Sequence, residues 1–433
     1  MITGPRAWRG ALALLVLVPV VASAQPPRNP FAELFGRTPE RSGREFTAVQ
    51  FRTTANAQIG QNLDQEVITP GGAVPEGLSA TGAASLIAEY MRDRVQISGL
   101  GSYSYQEYRK PPAFGAPAYD AGFRMNLLPT TRLSFQAGGN FSRSPFFRLM
   151  WLGANSAGGG PQDGSAILLT QNDTVEGSAG VTSQYTKRSS LTVSGVTRQT
   201  RFAISPDRNY SSIGGRAQWK RQMTRDLAIR AGYGREELRQ QIEGLDSTFT
   251  NELLDIGIEY SRSFSLGRRS SFSFGTETSM LRENEGARRY RLNGNAQLER
   301  RFLRSWQAQL SARRATEFLP GFVAPVLTEH GHFTLAGYLV KRLALNVNAD
   351  GGQGEVGFND PRKFISYGAD TTLTFAVTRH LGVFTRYHYY HYQMPPDPLS
   401  MFLLPRGARQ GISVGVQTWV SLYDKEKVIR DPR

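Results

Sequence analysis

Leu254, Ile256, Ile258 and Tyr260 fall on every second position, with Asp255, Gly257, Glu259 and Ser261 between them. After a break at Ser265–Arg269, Phe272, Phe274, Thr276 and Thr278 alternate in the same way with Ser273, Gly275, Glu277 and Ser279. The pattern recurs along the chain. Val49, Phe51, Thr53, Ala55, Ala57 and Ile59 oppose Gln50, Arg52, Thr54, Asn56 and Gln58; Ile97, Tyr103 and Tyr105 follow the rule, as do Leu133, Phe135 and Phe141. Tyr290, Leu292, Ala296 and Leu298 repeat it, and Ile412, Val414, Val416, Thr418 and Val420 close the series. A strict period of two is the signature of strands with one apolar face. One face of this wall carries aliphatic and aromatic groups and the other carries carboxylates and arginines.

The connections sort by length. Short ones lie at 90–94, 127–132, 186–190, 220–226, 263–269, 300–305, 340–343 and 377–380. Longer ones lie at 60–80, 109–116, 144–172, 204–209, 238–247, 283–286, 318–325, 351–363 and 393–406. Long and short alternate, and the seventeen connections imply eighteen strands, with sixteen or twenty as neighbouring counts. A soluble sandwich or propeller gives no reason for that alternation. A transmembrane antiparallel up-and-down β-barrel does, because its periplasmic turns are short, its outer loops long and its strand number even. The expected fold class is therefore all-β, a closed membrane barrel of about eighteen strands. Its apolar face meets lipid and its polar face lines a wet bore.

Composition agrees with this. There are 24 Phe, 17 Tyr, 5 Trp and 45 Gly in a chain only 39% hydrophobic, which suits alternating strands better than apolar helices. Residues 1–24 read as a secretory signal peptide: Arg6 and Arg9 precede the apolar run Ala11–Val21, and Ala22-Ser23-Ala24 offers a cleavage site. With no Cys in 433 residues, a small disulfide scaffold is excluded. The expected organisation is signal peptide 1–24, a periplasmic segment 25–44, the barrel 45–423 and a periplasmic tail 424–433. In the second of these, Asn29, Pro30 and Gly36 are placed to start and stop a short helix bearing Phe31, Leu34 and Phe35.

On these strands and turns the chain resembles bacterial outer-membrane barrels of the porin type, and loosely the alginate-export-like barrels that carry polysaccharide. The resemblance implies an outer-membrane channel. Such barrels usually end on an aromatic residue, whereas here Trp419 and Tyr423 precede a charged tail.

Charge then sharpens the picture. The formal net charge is +15, from 51 Lys and Arg against 36 Asp and Glu. The short turns hold Arg92, Arg94, Arg132, Lys187, Arg188, Lys220, Arg221 and Arg225, then Arg268, Arg269, Arg300, Arg301, Arg304, Lys341, Arg342 and Arg379, against only Asp93 and Asp226. Nearly the whole excess is thus gathered at one rim. There it can snorkel to lipid phosphates or concentrate anions at the mouth. By phase, Arg52, Arg124, Arg198, Arg216, Arg230, Arg291, Arg313 and Arg386 point into the bore. So do Asp120, Glu176, Asp255, Glu259, Glu277, Glu299 and Asp370, an interior able to hold ion pairs across the barrel.

No catalytic constellation emerges. His330 and His332 share a strand face without a sequence-placed third ligand, and a zinc site needs three or four. His388 and His391 take opposite faces among Tyr387, Tyr389, Tyr390 and Tyr392, a stretch expected to form an interfacial girdle. No nucleophile elbow and no phosphate loop is present, so neither an enzyme nor a cofactor is expected. Basic residues at hairpin ends of an exported chain do not suit nucleic acid. The reading is a channel in outer-membrane lipid for export or exchange of anionic solutes or acidic polysaccharide. The alternative is a plugged barrel that docks a periplasmic partner through its rim, its N-terminal segment or its tail.

Overall fold

A computed structural model describes residues 46–62, 68–69, 72–73, 77–92, 94–108, 114–144, 172–202, 209–242, 245–264, 270–283, 289–303, 305–317, 326–356, 362–378, 380–393 and 406–428. The signal peptide and the 25–44 segment lie outside them, as do Arg268, Arg269, Arg304 and Arg379. In chain order the elements are β1 (Phe46–Asn62), β2 (Ile68–Thr69), β3 (Gly72–Ala73), β4 (Gly77–Arg92), β5 (Val95–Tyr108), β6 (Phe114–Thr130) and β7 (Leu133–Ser144). They continue with β8 (Asn172–Thr186), β9 (Ser189–Phe202), β10 (Tyr210–Gln222), β11 (Leu227–Ile242), β12 (Leu245–Phe264) and β13 (Ser270–Glu283). The last are β14 (Arg289–Phe302), β15 (Trp306–Glu317), β16 (Val326–Val340), β17 (Leu343–Val356), β18 (Arg362–Ala376), β19 (Leu381–Gln393) and β20 (Arg406–Val428).

β1 and β4–β20 form one antiparallel sheet of eighteen strands, and β2 with β3 makes a small ribbon in the first long connection. Each strand pairs with its neighbour in sequence, and β1 also pairs with β20, from Phe46↔Val428 to Asn62↔Gly411. The ring is closed, so no row of N–H and C=O groups is left at an edge. In hydrocarbon that is a requirement, because an unpaired peptide group has no water to turn to. Phe51 and Tyr423 pack edge to face at 6.2 Å across the seam.

The distribution of apolar groups is inverted relative to a soluble protein. Ile213 is 64% exposed, Ile256 63% and Val414 52%, whereas Asp255 is 1% and Arg230 2% exposed. Large aliphatic side chains point outward from strand after strand, a pattern that water would penalise and lipid rewards. The protein is a closed antiparallel β-barrel with an exterior suited to lipid, and the outward phase of Ile256 and the inward phase of Asp255, Glu259 and Glu277 follow as expected.

Three features differ from the sequence reading. The connection expected over 238–247 is strand almost throughout, since β11 runs to Ile242 and β12 starts at Leu245, and these two residues pair. Polar residues such as Arg239, Gln240 and Thr248 look like a loop. A hairpin that projects beyond the membrane, however, needs no apolar face to remain paired. The tail expected from residue 424 is likewise strand up to Val428, paired with the start of β1. Finally, Tyr390 and Tyr392 are not part of a girdle. They point inward and are 4% and 1% exposed, while Tyr387 and Tyr389 face out.

A cation on the outer face near the bilayer midplane should cost roughly 2–4 kcal/mol. Ile256→Lys is therefore expected to lower the unfolding free energy, measured by denaturant titration in lipid vesicles, by about that amount and to lower the midpoint with it. A midpoint equal to that of the unmodified chain would refute the outward phase of β12.

Candidate functional site

The inner wall is built by register. On β10, Arg216 lies opposite Gly234 of β11, and one step along β11 Gly232 lies opposite Asp255 of β12. With no side chains between them, the Arg216 guanidinium crosses a whole strand to reach Asp255 Oδ2 at 2.5 Å and Glu277 of β13 at 3.0 Å. Arg230, 3% exposed in its side chain, stands 3.3 Å from the other oxygen of Asp255. Gln218 also donates to Asp255. One buried carboxylate is thus held by two guanidinium groups and an amide, the arrangement a buried charge requires.

The ladder between β12 and β13 is interrupted beside this cluster, between Leu254 and Glu259. A Cβ on Gly257 would lie 2.0 Å from the Thr276 carbonyl oxygen, so only glycine allows the backbones to approach here. The same carbonyl accepts a hydrogen bond from Arg230 Nη2 at 3.1 Å. The buried arginine therefore balances Asp255 and also satisfies a backbone acceptor where the ladder is broken.

Most other inward charges are paired along the wall. Arg198 meets Glu176 at 2.5 Å, Lys220 meets Glu259 at 2.6 Å, and Arg386 bonds Asp370. Glu299 meets Arg301 at 3.1 Å, and Arg291 lies 3.6 Å from Glu355. Glu176 and Arg198 are register partners on β8 and β9, Asp370 and Arg386 lie diagonally on β18 and β19, Lys220 reaches across β11 to Glu259, and Arg291 of β14 lies near Glu355 of β17. Lys220, expected at the rim, is inside the barrel on β10. Arg313 is exposed and faces Asn295 and His330 in register, and Arg52 pairs through its backbone with Ile87 and Ser421.

His332 bonds Asp350 through Nδ1 and Thr334 through Nε2, each at 2.8 Å, and Thr334 also reaches Asn348 at 3.2 Å. This polar chain was not legible beforehand, because Asp350 and Asn348 sit on a different strand. Their even-numbered positions, which match the inward phase of β17, were the available signal.

Two regions of the wall contrast. On β18 and β19 the inward Phe364, Ser366, Phe384, His388, Tyr390 and Tyr392 are all buried, as are Phe202, Tyr210, Leu238 and Phe249 near the long-loop end of β9–β12. On the far side of the ring, β6–β11 enclose a recess of about 390 Å³ lined by Arg124, Asn126, Gln136, Ser178, Ser194, Arg216 and Glu236. Gly138, Gly180 and Gly214 form its floor. Arg124 is exposed there and, among the described residues, makes no ion pair.

No family model matches the sequence, and no curated protein matches it. Solved structures of similar fold include OccK7 (OpdD) of Pseudomonas aeruginosa, with 10% identity and a TM-score of 0.45 over 87% of this chain and 99% of that one. OccK2 (OpdF) of the same organism, in complex with glucuronate, shows 9% identity and a TM-score of 0.43 over 87% and 98%. The FrpB iron transporter of Neisseria meningitidis shows 7% identity and a TM-score of 0.47 over 86% and 82%.

Removing one partner of a buried pair leaves a charge without compensation, at a cost of roughly 3–5 kcal/mol. Asp255→Ala is expected to destabilise the barrel by that much in denaturant titration. Glu259→Gln, whose Lys220 partner is 36% exposed, should cost at most about 1 kcal/mol. Equal effects of the two would show that Asp255 does not organise the wall.

Proposed function

We propose that the barrel is a porin-like channel that passes small anionic solutes along the β6–β11 side of its bore. The observation that carries this reading is Arg124, a permanently charged group that is exposed and, among the described residues, has no carboxylate partner, at a recess it shares with amides, hydroxyls and glycines and with Arg216 and Glu236. Barrels of sixteen to eighteen strands leave an aqueous path unless it is filled. Here the buried aromatic wall of β18 and β19 confines that path to one side. A fixed cation in such a passage raises the local concentration of anions. Asn126, Gln136, Ser178 and Ser194 can exchange hydrogen bonds with hydroxyl or carboxylate oxygens as a solute loses water. The cations of the short-turn rim add to the attraction at one mouth.

The confined path favours small solutes over an acidic polysaccharide, since a polymer must thread the bore with many hydrated groups in contact at once. The glucuronate bound to OccK2 is an example of the chemistry meant, a carboxylate with several hydroxyls, and gluconate-sized probes suit a first trial.

In planar bilayers the protein should conduct, with chloride or gluconate more permeant than potassium. Arg124→Gln should bring the permeability ratio close to unity while leaving barrel assembly intact. Absence of conductance would instead favour a plugged barrel that docks a partner, and a preference for cations would overturn the reading outright.

A further inference from the structure

On β6, from the recess toward the long-connection end of the strand, two opposite charges stand on the inner face four residues apart. Neither Arg124, which is exposed, nor Asp120, which is half-buried, makes an ion pair among the described residues. They do not pair with each other, although other inward carboxylates of the wall do find a cation. Gly122 is the inward residue between them, so no side chain of β6 fills the gap.

The neighbouring strands complete the site by register. At the level of Gly122 the facing residues are Leu100 of β5 and Asn140 of β7. A Cβ on Gly122 would lie 2.9 Å from Asn140 Oδ1, so the missing side chain is what lets this amide lie across the strand. With its NH2 turned toward Asp120, Asn140 donates to that carboxylate at 3.2 Å and to the Ala121 carbonyl at 3.1 Å. Its own carbonyl oxygen is then left as an acceptor. Leu100 is 39% exposed and Ile87 of β4 faces it in register, which gives the opposite side an apolar flank. Ser102 and Ser142 stand on either side of Asp120, while Gly138 leaves one side of Arg124 open.

Four steps of strand hold the Cα atoms of Asp120 and Arg124 about 13 Å apart. With a hydrogen bond of about 2.9 Å at each end, a solute that touches both charges carries its own about 7 Å apart. A single α-amino acid is too short for this, whereas two residues of extended chain span about 7 Å. We infer that this strip of β6 binds a dipeptide, its carboxylate on Arg124, its ammonium on Asp120 and its peptide N–H facing the Asn140 carbonyl oxygen. An apolar side chain of that solute rests against Leu100 and Ile87. The inference deepens the conduction reading and rests on it for the carboxylate at Arg124; the ammonium at Asp120 is what it adds.

The test titrates the full chain in lipid nanodiscs, by calorimetry, with alanyl-alanine and with its N-acetyl derivative, which keeps the carboxylate and loses the ammonium. Alanyl-alanine should bind roughly tenfold more tightly, the effect of one charge-assisted hydrogen bond. Asp120→Asn, which keeps an acceptor for Asn140, should weaken alanyl-alanine to the level of the acetylated compound, while the latter should bind no less tightly than before. Arg124→Gln should weaken both. Glu89→Gln removes an inward carboxylate of β4 that faces Ser98 and should change neither, which separates contact at Asp120 from a general field of the bore. Equal affinities in the unmodified chain would overturn the inference whether or not Asp120→Asn folds. Undiminished discrimination in a folded Asp120→Asn chain would do the same. The conduction reading is judged on a separate measurement, the chloride-to-potassium ratio in planar bilayers, so equal affinities beside an anion-selective current would sink the dipeptide site alone.

Discussion

Backbone hydrogen bonding in a medium without water is the constraint on which this structure rests. A strand in hydrocarbon must pair on both sides, and the only way to give eighteen strands two partners each is to close the sheet, as β1 and β20 do here. Closure defines an inside and an outside. The pleat then sends alternate side chains to each, so aliphatic residues at every second position become a lipid-facing surface without further specification. The strands, of twelve to twenty-three residues, exceed the nine to eleven or so that a bilayer needs. Their ends extend past it, and there the alternation relaxes.

Inside the ring the physics changes. Charges cannot be left dry and unpaired, and the wall provides partners at the distances a sheet allows. Asp255 shows how far this goes. It is nearly inaccessible to solvent, yet Arg216 reaches it across a strand made bare by Gly232 and Gly234, while Arg230 is held between it and a carbonyl exposed by the break in the ladder. Such a cluster stiffens one arc of the barrel. The neighbouring arc, with its glycine floor and Arg124, is open by contrast. The channel reading depends on that contrast, since a wall with every charge satisfied offers nothing to a passing anion.

Much was legible in the amino-acid order. The strand number and the outward phase of the aliphatic residues come from local features, whereas Lys220, read as part of the rim, lies inside the barrel against Glu259. Period-two alternation is a property of successive residues, and the cost of putting a charge in lipid leaves one phase open to it. Tertiary structure alone decided which charges meet, because partners such as Arg216 and Glu277 lie sixty-one residues apart and are joined by register, not by spacing. It also decided that Tyr390 and Tyr392 are buried inside and not seated at an interface, since either face of β19 could carry aromatics. The length of the β11–β12 hairpin was hidden for a related reason: beyond the membrane, pairing holds strands together without an apolar pattern to announce them. Alternation is written along the chain, but register and the shape of the recess arise only when the ring closes.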